Sequence, residues 1–247
     1  MGGLSGAIKH LIIINVIIFI AGITGLGEML YDYLALWFPK NPKFQYWQLF
    51  THMFLHDFSG FMHILFNMYA LWAFGTPLER MWGRNKFLFF YFSAGLGAAL
   101  LHLGFNYYLF NSGLEALVNT GIPKAELMEA LSSGRINMEL VQSILGSDAS
   151  NFGSAYYGSV VGASGAVYGV LVAFAFSYPN AELMLIFLPV PIKAKYFVPV
   201  LIAIDIFFGF SSFNTGIAHF AHVGGALIGF LMMWYWKRNQ FNQNRWD

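Results

Sequence analysis

Six apolar runs alternate with polar segments along this chain of 247 residues. A helix needs about 20 apolar residues to cross a bilayer, and each run has roughly that length, so the pattern predicts six transmembrane helices. A shorter apolar stretch at 183–191 contains two prolines, and we expect an interfacial piece there rather than a seventh span. The six runs cover residues 10–25, 60–77, 87–110, 164–179, 197–213 and 217–236.

Two longer segments separate these runs. Residues 26–59 are rich in tyrosine, tryptophan and phenylalanine, which settle at headgroup depth, so this segment predicts a loop lying partly in the membrane. Residues 112–161 are more polar and predict two short helices, at 123–131 and 137–145. We favour a helical cap packed on the outer face over a dedicated substrate-binding module for this segment.

The composition supports a membrane protein and excludes other classes. Hydrophobic residues make up 57% of the chain and charged residues only 10%, well outside the range of a soluble domain. A net charge of +1 gives no reason to expect a nucleic acid partner. With no cysteine, the chain has no disulfide framework, no thiolate nucleophile and no cysteine-based metal site, and we expect neither a metal ion nor a cofactor.

The distribution of basic residues predicts the orientation, because lysine and arginine accumulate on the cytoplasmic side. With the N-terminus inside, nine of the 13 basic residues lie inside and four outside. Both termini are then cytoplasmic, and the absence of an organelle-targeting pattern favours a prokaryotic plasma membrane. The inner set is Lys9, Arg80, Arg84, Lys86, Lys193, Lys195, Lys237, Arg238 and Arg245, and the outer set is Lys40, Lys43, Lys124 and Arg135.

Ser164 and His222 stand out because they are polar residues within apolar runs. Ser164 opens the fourth run inside Gly162-Ala163-Ser164-Gly165, and His222 lies near the start of the last run. At a helix N-terminus, unpaired N–H groups and the helix dipole stabilise negative charge. A serine next to a histidine is a nucleophile next to its base, although a lone serine in a membrane helix more often serves packing.

Other polar side chains reach the same depth. Asn67 lies about 10 Å and His222 about 8 Å below the outer surface at 1.5 Å per residue, level with Ser164. His63 and Asn67 are four residues apart and therefore share one helix face. Tyr168, one turn below Ser164, is placed to stack on the imidazole. We expect these side chains to meet in one site.

Pairs of glycines spaced by four residues lie next to both candidate residues. Gly165 and Gly169 follow the serine, and Gly225 and Gly229 follow the histidine. This spacing lets membrane helices pack backbone against backbone. We expect it to bring the two helices close enough for a hydrogen bond.

Taken together, these motifs resemble those of the rhomboid family of intramembrane serine proteases, over about residues 47–236. The resemblance implies an all-α membrane protein, a six-transmembrane-helix rhomboid-like bundle with the outer helical insertion at 112–161, all within one domain spanning 1–247. The matching motifs are Gly162-x-Ser164-Gly165, Ala221-His222-x-x-Gly225-x-x-x-Gly229, His63-x-x-x-Asn67 and Gly75-x-x-x-Glu79-x-x-x-Gly83.

The same resemblance implies a mechanism and substrates. Ser164 would attack a peptide bond of a substrate's transmembrane or juxtamembrane segment, with His222 as general base and then general acid. His63, Asn67 and the Ser164 N–H would bind the oxyanion. Substrates would come sideways from the lipid bilayer, past a movable gate formed by the fifth helix and the loop at 211–216. The oligomeric state is left open.

Some residues admit a second interpretation. His219 lies one turn from His222 and could titrate equally well, but it lacks the trailing glycines. Asp205 is an acid well inside a span, and a structural role is favoured because the family places no acid in its site. Glu79 with Arg80 is interpreted as an interfacial anchor.

Two departures from the family pattern also stand out. Gln48 follows Trp47 where the family usually has arginine, which concerns how the first outer loop is anchored. The insertion at 112–161 is longer than in the smallest family members and concerns access to the site.

Two other function classes remain as alternatives. A non-enzymatic relative would bind membrane proteins with the same bundle, but such relatives have usually lost the serine or the histidine. A transporter or channel would need an ionisable pathway through the membrane, whereas the polar groups here stop at the outer third, apart from Asp205.

Overall fold

The computed structural model describes residues 6–185, 188–211 and 216–243, and these are mainly helical. The described part contains a small antiparallel hairpin of β1 (Glu182–Leu185) and β2 (Leu188–Lys193). A π-helical turn at Leu71–Gly75 connects the helices Met62–Ala70 and Thr76–Trp82 without a break. The helices are Gly6–Ala21 (α1), Gly27–Leu34 (α2), Gln48–Thr51 (α3), Met62–Ala70 (α4), Thr76–Trp82 (α5), Arg84–Val118 (α6), Lys124–Ser132 (α7), Met138–Leu145 (α8), Asp148–Tyr157 (α9), Ser164–Ser177 (α10), Ala194–Phe210 (α11) and His219–Gln243 (α12).

Each predicted apolar run coincides with a helix: α1, α4 with α5, α6, α10, α11 and α12. By length and composition, two helical stretches in the described residues could cross a membrane, Gly6–Leu34 and Arg84–Val118. The first of these is interrupted at Gly25, whose φ is 114°. The six spans therefore stay a prediction, as does the orientation, and Arg245 lies outside the described residues.

The backbones of α10 and α12 touch along the two pairs of glycines. A Cβ atom on Gly225 would lie 1.8 Å from the carbonyl oxygen of Gly165, and one on Gly229 would lie 2.7 Å from Cα of Gly169. Helix α10 also packs closely against α6. A Cβ on Gly165 would lie only 2.5 Å from Cβ of Ala98. Small residues at these positions allow this close approach. The contact holds the starts of α10 and α12 next to each other.

The Gly75, Glu79 and Gly83 motif attaches α1 to the rest of the bundle. The Glu79 carboxylate is buried and accepts hydrogen bonds from the N–H groups of Ala7 (2.7 Å) and Ile8 (3.1 Å). These N–H groups belong to the first turn of α1, which has no internal acceptors for them. A Cβ on Gly75 would lie 2.6 Å from Cδ1 of Ile8. Glu79 is therefore a buried helix cap, not only the interfacial anchor expected from the sequence.

The outer insertion folds as three helices on the end of α6. Helices α7 and α8 match the two predicted segments, whereas α9 was not predicted, and α6 continues to Val118 instead of ending near residue 111. The buried stripe of α9 consists largely of alanines and aromatics among polar residues, which gives a weak apolar periodicity. The three helices share one hydrophobic core with the end of α6 and with Phe38 of the first outer loop. This core comprises Phe38, Phe110, Leu114, Leu117, Leu127, Leu131, Val141, Ala149, Phe152, Ala155 and Tyr156. The insertion thus packs as a cap on the bundle.

The hairpin corrects the all-α prediction locally. The described residues of 183–191 form no helix, in agreement with the expectation that this stretch is not a seventh span, and they belong to β1 and β2. Pro189 and Pro191 lie in β2. Proline disrupts helices and lacks the N–H that an interior strand donates, but a two-stranded hairpin has only edge strands and tolerates it.

Candidate active site

The turn before Ser164 requires glycine at position 162. Gly162 has φ 124°, a conformation that favours glycine, and its N–H donates to the carbonyl oxygen of His52 at 2.9 Å. A Cβ here would lie 3.0 Å from Nε2 of His63 and 3.5 Å from Oγ of Ser164. The glycine therefore sets the start of α10 and leaves open space between the serine and His63.

Ser164 and His222 lie within hydrogen-bond distance. Nε2 of His222 is 2.9 Å from Oγ of Ser164. The ring of Tyr168 stacks on the imidazole with centroids 4.2 Å apart and planes inclined by 12°. Both histidine and serine lie in the first turns of their helices, next to the contact between Gly165 and Gly225. The geometry is that of a nucleophile facing its base.

His63 and Asn67 share one face of α4, as their spacing predicts. The Asn67 amide donates to the carbonyl oxygen of His63 at 2.9 Å, while its own oxygen is buried. Nε2 of His63 borders the open space beside Gly162. Nδ1 of His63 accepts a hydrogen bond from the backbone N–H of Asp57, with 3.5 Å between the two nitrogens. Nε2 of His63 and Oγ of Ser164 thus border the same space beside Gly162. The remaining N–H of the Asn67 amide is one turn deeper.

Asp205 was not placed in the site by the sequence, yet its carboxylate contacts His222. Oδ1 lies 3.0 Å from Nδ1 of His222 and 2.5 Å from Nδ1 of His219, and Oδ2 accepts a short hydrogen bond from the Tyr168 hydroxyl. Asp205 lies five residues before the outer end of α11 at Phe210. At 1.5 Å per residue this is about 8 Å deep, the depth of His222. The depth argument applied to Asn67 would have placed Asp205 level with the site but would not have turned it toward His222.

His219 reaches the same carboxylate but not the serine. Its ring stacks at 5.7 Å on Phe208, with planes inclined by 21°. The ligand-type atoms of Asp205, His219 and His222 all lie within 4.8 Å of one another, close enough to hold a metal ion. Nδ1 of His219 and Nδ1 of His222, however, both lie at hydrogen-bonding distance from Oδ1 of Asp205. A proton on each nitrogen, donated to the carboxylate, explains these contacts without a metal ion.

Comparison with known protein families accounts for the arrangement. A family model described as the rhomboid domain matches residues 43–122 and 125–239. The chain belongs to the rhomboid family. The family resemblance predicted from the motifs is thereby confirmed.

Three rhomboid relatives illustrate the range of the similarity. Rhomboid protein 1, mitochondrial, of Saccharomyces cerevisiae is 27% identical over 71% of this chain and 38% of its own length. Presenilin-associated rhomboid-like protein, mitochondrial, of Rattus norvegicus is 29% identical over 81% of this chain and 40% of its own length. Rhomboid protease GluP of Bacillus subtilis is 39% identical over 26% of this chain and 12% of its length. The chain spans about two fifths of the length of the two mitochondrial relatives.

Gln48, which departs from the usual rhomboid arginine, anchors the first outer loop by a different set of bonds. Its buried amide oxygen accepts from the N–H groups of Gln45 (3.0 Å) and Trp37 (3.4 Å). Its amide nitrogen donates to the carbonyl oxygens of Lys43 (2.9 Å) and Asp32 (3.2 Å). The amide supplies donors and acceptors together, whereas arginine supplies only donors. The first outer loop is therefore still anchored with glutamine at position 48 in place of arginine.

A cavity of about 320 Å³ lies between the insertion and the start of α12. Its walls include His102, Asn106, Ser154 and His219. Asn106 and His102 hydrogen-bond to each other along α6 at 2.9 Å. Its polar groups and its volume allow the cavity to hold water, although phenylalanine side chains line it as well. Of the Asp205, His219 and His222 cluster, the space reaches His219.

Proposed function

We propose that this rhomboid is an intramembrane serine endopeptidase that cleaves transmembrane or juxtamembrane segments of other membrane proteins. The observation that carries the proposal is the 2.9 Å distance between Nε2 of His222 and Oγ of Ser164. The motifs that bring these atoms together are those of a family that includes the protease GluP. A binding protein that uses the bundle without chemistry has no need for this pair.

In the proposed reaction, the Ser164 hydroxyl attacks the scissile carbonyl carbon. Nε2 of His222 takes the hydroxyl proton as the Oγ–carbon bond forms, and then gives it to the leaving amine as the peptide bond breaks. Water next attacks the acyl-enzyme and gives a proton to Nε2 of His222, which returns it to Oγ of Ser164 as the ester bond breaks, so that the carboxyl product leaves and the serine is free again. The cavity that reaches His219 supports the supply of that water.

The negative charge of the tetrahedral intermediate needs hydrogen-bond donors. We propose that the N–H of Ser164, Nε2 of His63 and the free N–H of the Asn67 amide supply them. Support comes from the position of Ser164 at the start of α10 and from the approach of His63 to the open space beside Gly162. Each such donor is typically worth about 3–4 kcal/mol in the transition state.

We further propose that substrates are single helices with small or helix-weakening residues near the outer face. A helix with all its backbone bonds closed offers no accessible carbonyl to the serine. Such a segment must approach from the lipid, and α11 with the loop that follows it is the proposed gate. Residues 212–215 of that loop lie outside the described part of the chain.

We propose that the protein is an integral membrane protein with six spans and with both termini in the cytoplasm. A prokaryotic plasma membrane stays a prediction, because the relatives include proteins named as mitochondrial as well as one from a bacterium. The proposed partners are transmembrane protein substrates and the bilayer itself.

A fluorophosphonate probe tests the proposal directly, because it reacts with a serine only when a base activates the hydroxyl. We expect labelling of the purified wild-type protein and none of Ser164→Ala or His222→Ala. Ser132→Ala, which changes an exposed serine of α7 whose hydroxyl donates to the carbonyl oxygen of Glu129 at 3.0 Å, is the matched control and should label normally. Equal labelling of wild type and Ser164→Ala would contradict the assignment.

A further inference from the structure

Asp205 is the buried acid of α11, and its side chain is only 5% exposed. Three groups donate to its carboxylate: Nδ1 of His222, Nδ1 of His219 and the hydroxyl of Tyr168. Two donors meet Oδ1 and the third meets Oδ2. Three donors around two oxygens fit an ionised carboxylate, which can only accept hydrogen bonds.

This arrangement selects the tautomer of His222. Because the carboxylate accepts, the proton of a neutral imidazole lies on Nδ1, and Nε2 keeps its lone pair toward Ser164. That is the tautomer a general base needs. Stacking of Tyr168 on the ring fixes the plane of the imidazole but does not distinguish its two nitrogens. The carboxylate therefore selects the tautomer of His222, which the stacked ring of Tyr168 cannot do.

We infer that Asp205 is a positioning residue that turns the pair of Ser164 and His222 into a triad. The inference rests on the proposed function and adds a third member to its site. Asp205 holds Nδ1 of His222 by a hydrogen bond and stabilises the imidazolium that forms when the serine loses its proton. It touches neither the substrate nor the serine.

His219 and Tyr168 hold Asp205 in turn. His219 lies 2.5 Å from the same oxygen that contacts His222, so it fixes the position of that oxygen. The Tyr168 hydroxyl fixes the other oxygen, which gives this side chain two functions: its ring stacks on His222 and its hydroxyl orients Asp205. His219 thus supports the site without serving as its base.

The carboxylate comes from the proposed gate helix α11, whereas the histidines lie on α12 and Tyr168 lies on α10. A simple clamp that keeps the gate shut would give the same contacts. The two roles predict opposite effects on the rate. Loss of a clamp opens the gate and raises activity, whereas loss of a positioning residue lowers it.

The test uses the full chain in proteoliposomes with a single-span reporter protein, and fluorophosphonate labelling in parallel. We expect Asp205→Asn to lower kcat and the labelling rate by about 10²- to 10⁴-fold, since an asparagine amide can donate to Nδ1 and turn the proton of His222 toward the serine. KM should change by less than about threefold. Asp205→Glu keeps a carboxylate and should be faster than Asp205→Asn. Asp148→Asn, which changes an exposed acid of the outer insertion, is the matched control and should behave as wild type.

A loss smaller than about tenfold in Asp205→Asn, or a gain, would overturn the inference. Should Asp205→Asn fail to fold, Tyr168→Phe decides, because it keeps the stacked ring and removes only the hydroxyl that holds Asp205. We expect about tenfold slower labelling of this variant, and unchanged labelling would overturn the inference. Loss of wild-type labelling on treatment with a chelator would also overturn it, because the cluster would then hold a metal. Absence of wild-type labelling without any treatment would contradict the proposed function itself.

Discussion

Gly225 rests on the carbonyl oxygen of Gly165, so close that a Cβ atom there would lie 1.8 Å from it. The two glycines follow Ser164 by one residue and His222 by three. The spacing of α10 and α12 at this point therefore determines the distance between the serine and the histidine. The geometry of the proposed catalytic pair therefore depends on the absence of a side chain at Gly225.

Gly225→Ala should separate the two helices and abolish activity. A methyl group cannot fit against backbone, so α12 must move and the 2.9 Å contact between His222 and Ser164 is lost. We expect at least about a 100-fold lower labelling rate, because misplacement by 1 Å typically costs that much. A lower thermal unfolding temperature in detergent should accompany it.

Gly104→Ala is the matched control for this change. Gly104 lies in α6, where a Cβ meets nothing within 4 Å. Alanine favours helix more than glycine does, so this variant should be as active as wild type and at least as stable. Wild-type labelling by Gly225→Ala would show that the close helix contact does not control the site.

Asn67→Ala should slow catalysis without weakening substrate binding. If its amide stabilises the oxyanion, the contribution appears only in the transition state, and kcat should fall by about 10²- to 10³-fold with KM nearly unchanged. Steady-state cleavage of the reporter measures both constants. Asn119→Ala, at the exposed C-terminal end of α6, is the control. An unchanged kcat for Asn67→Ala would remove this residue from the oxyanion site.

Glu79→Ala should destabilise the protein and leave the chemistry intact. The change leaves the N–H groups of Ala7 and Ile8 without their acceptor and costs about 1–3 kcal/mol. Thermal unfolding in detergent should show a lower midpoint, while labelling of the folded fraction stays normal. Glu115→Ala replaces an exposed acid and should leave the midpoint unchanged. If Glu79→Ala unfolds at the wild-type temperature, the cap is not a stabilising contact.

The sequence predicted well what depends on long apolar runs and on residue spacing. Each of the six apolar runs forms a helix in the part of the chain that the structure describes, because hydrophobic runs of that length admit few other structures in lipid. The spacing of Gly165 with Gly169, and of Gly225 with Gly229, predicted the contact between α10 and α12. That contact follows from the absence of side chains, which the sequence displays directly.

The sequence failed where an interaction depends on which way a helix is turned. Asp205 is 17 residues from His222 along the chain, and only the rotation of α11 decides whether its carboxylate faces the site or the lipid. The apolar pattern of α11 does not fix that rotation. Helix α9 was missed because its packing face contains small alanines, such as Ala149 and Ala155, that scarcely distinguish it from the polar surroundings.

Cleavage of a single-span reporter protein in proteoliposomes tests the central claim most directly. Wild type, Ser164→Ala and His222→Ala are reconstituted at equal amounts, and the products are resolved by mass spectrometry. We predict one cut near the outer end of the reporter's membrane segment by wild type and none by either variant. Cleavage by Ser164→Ala at the wild-type rate, or an intact reporter after prolonged incubation with wild-type protein that labels normally, would contradict it.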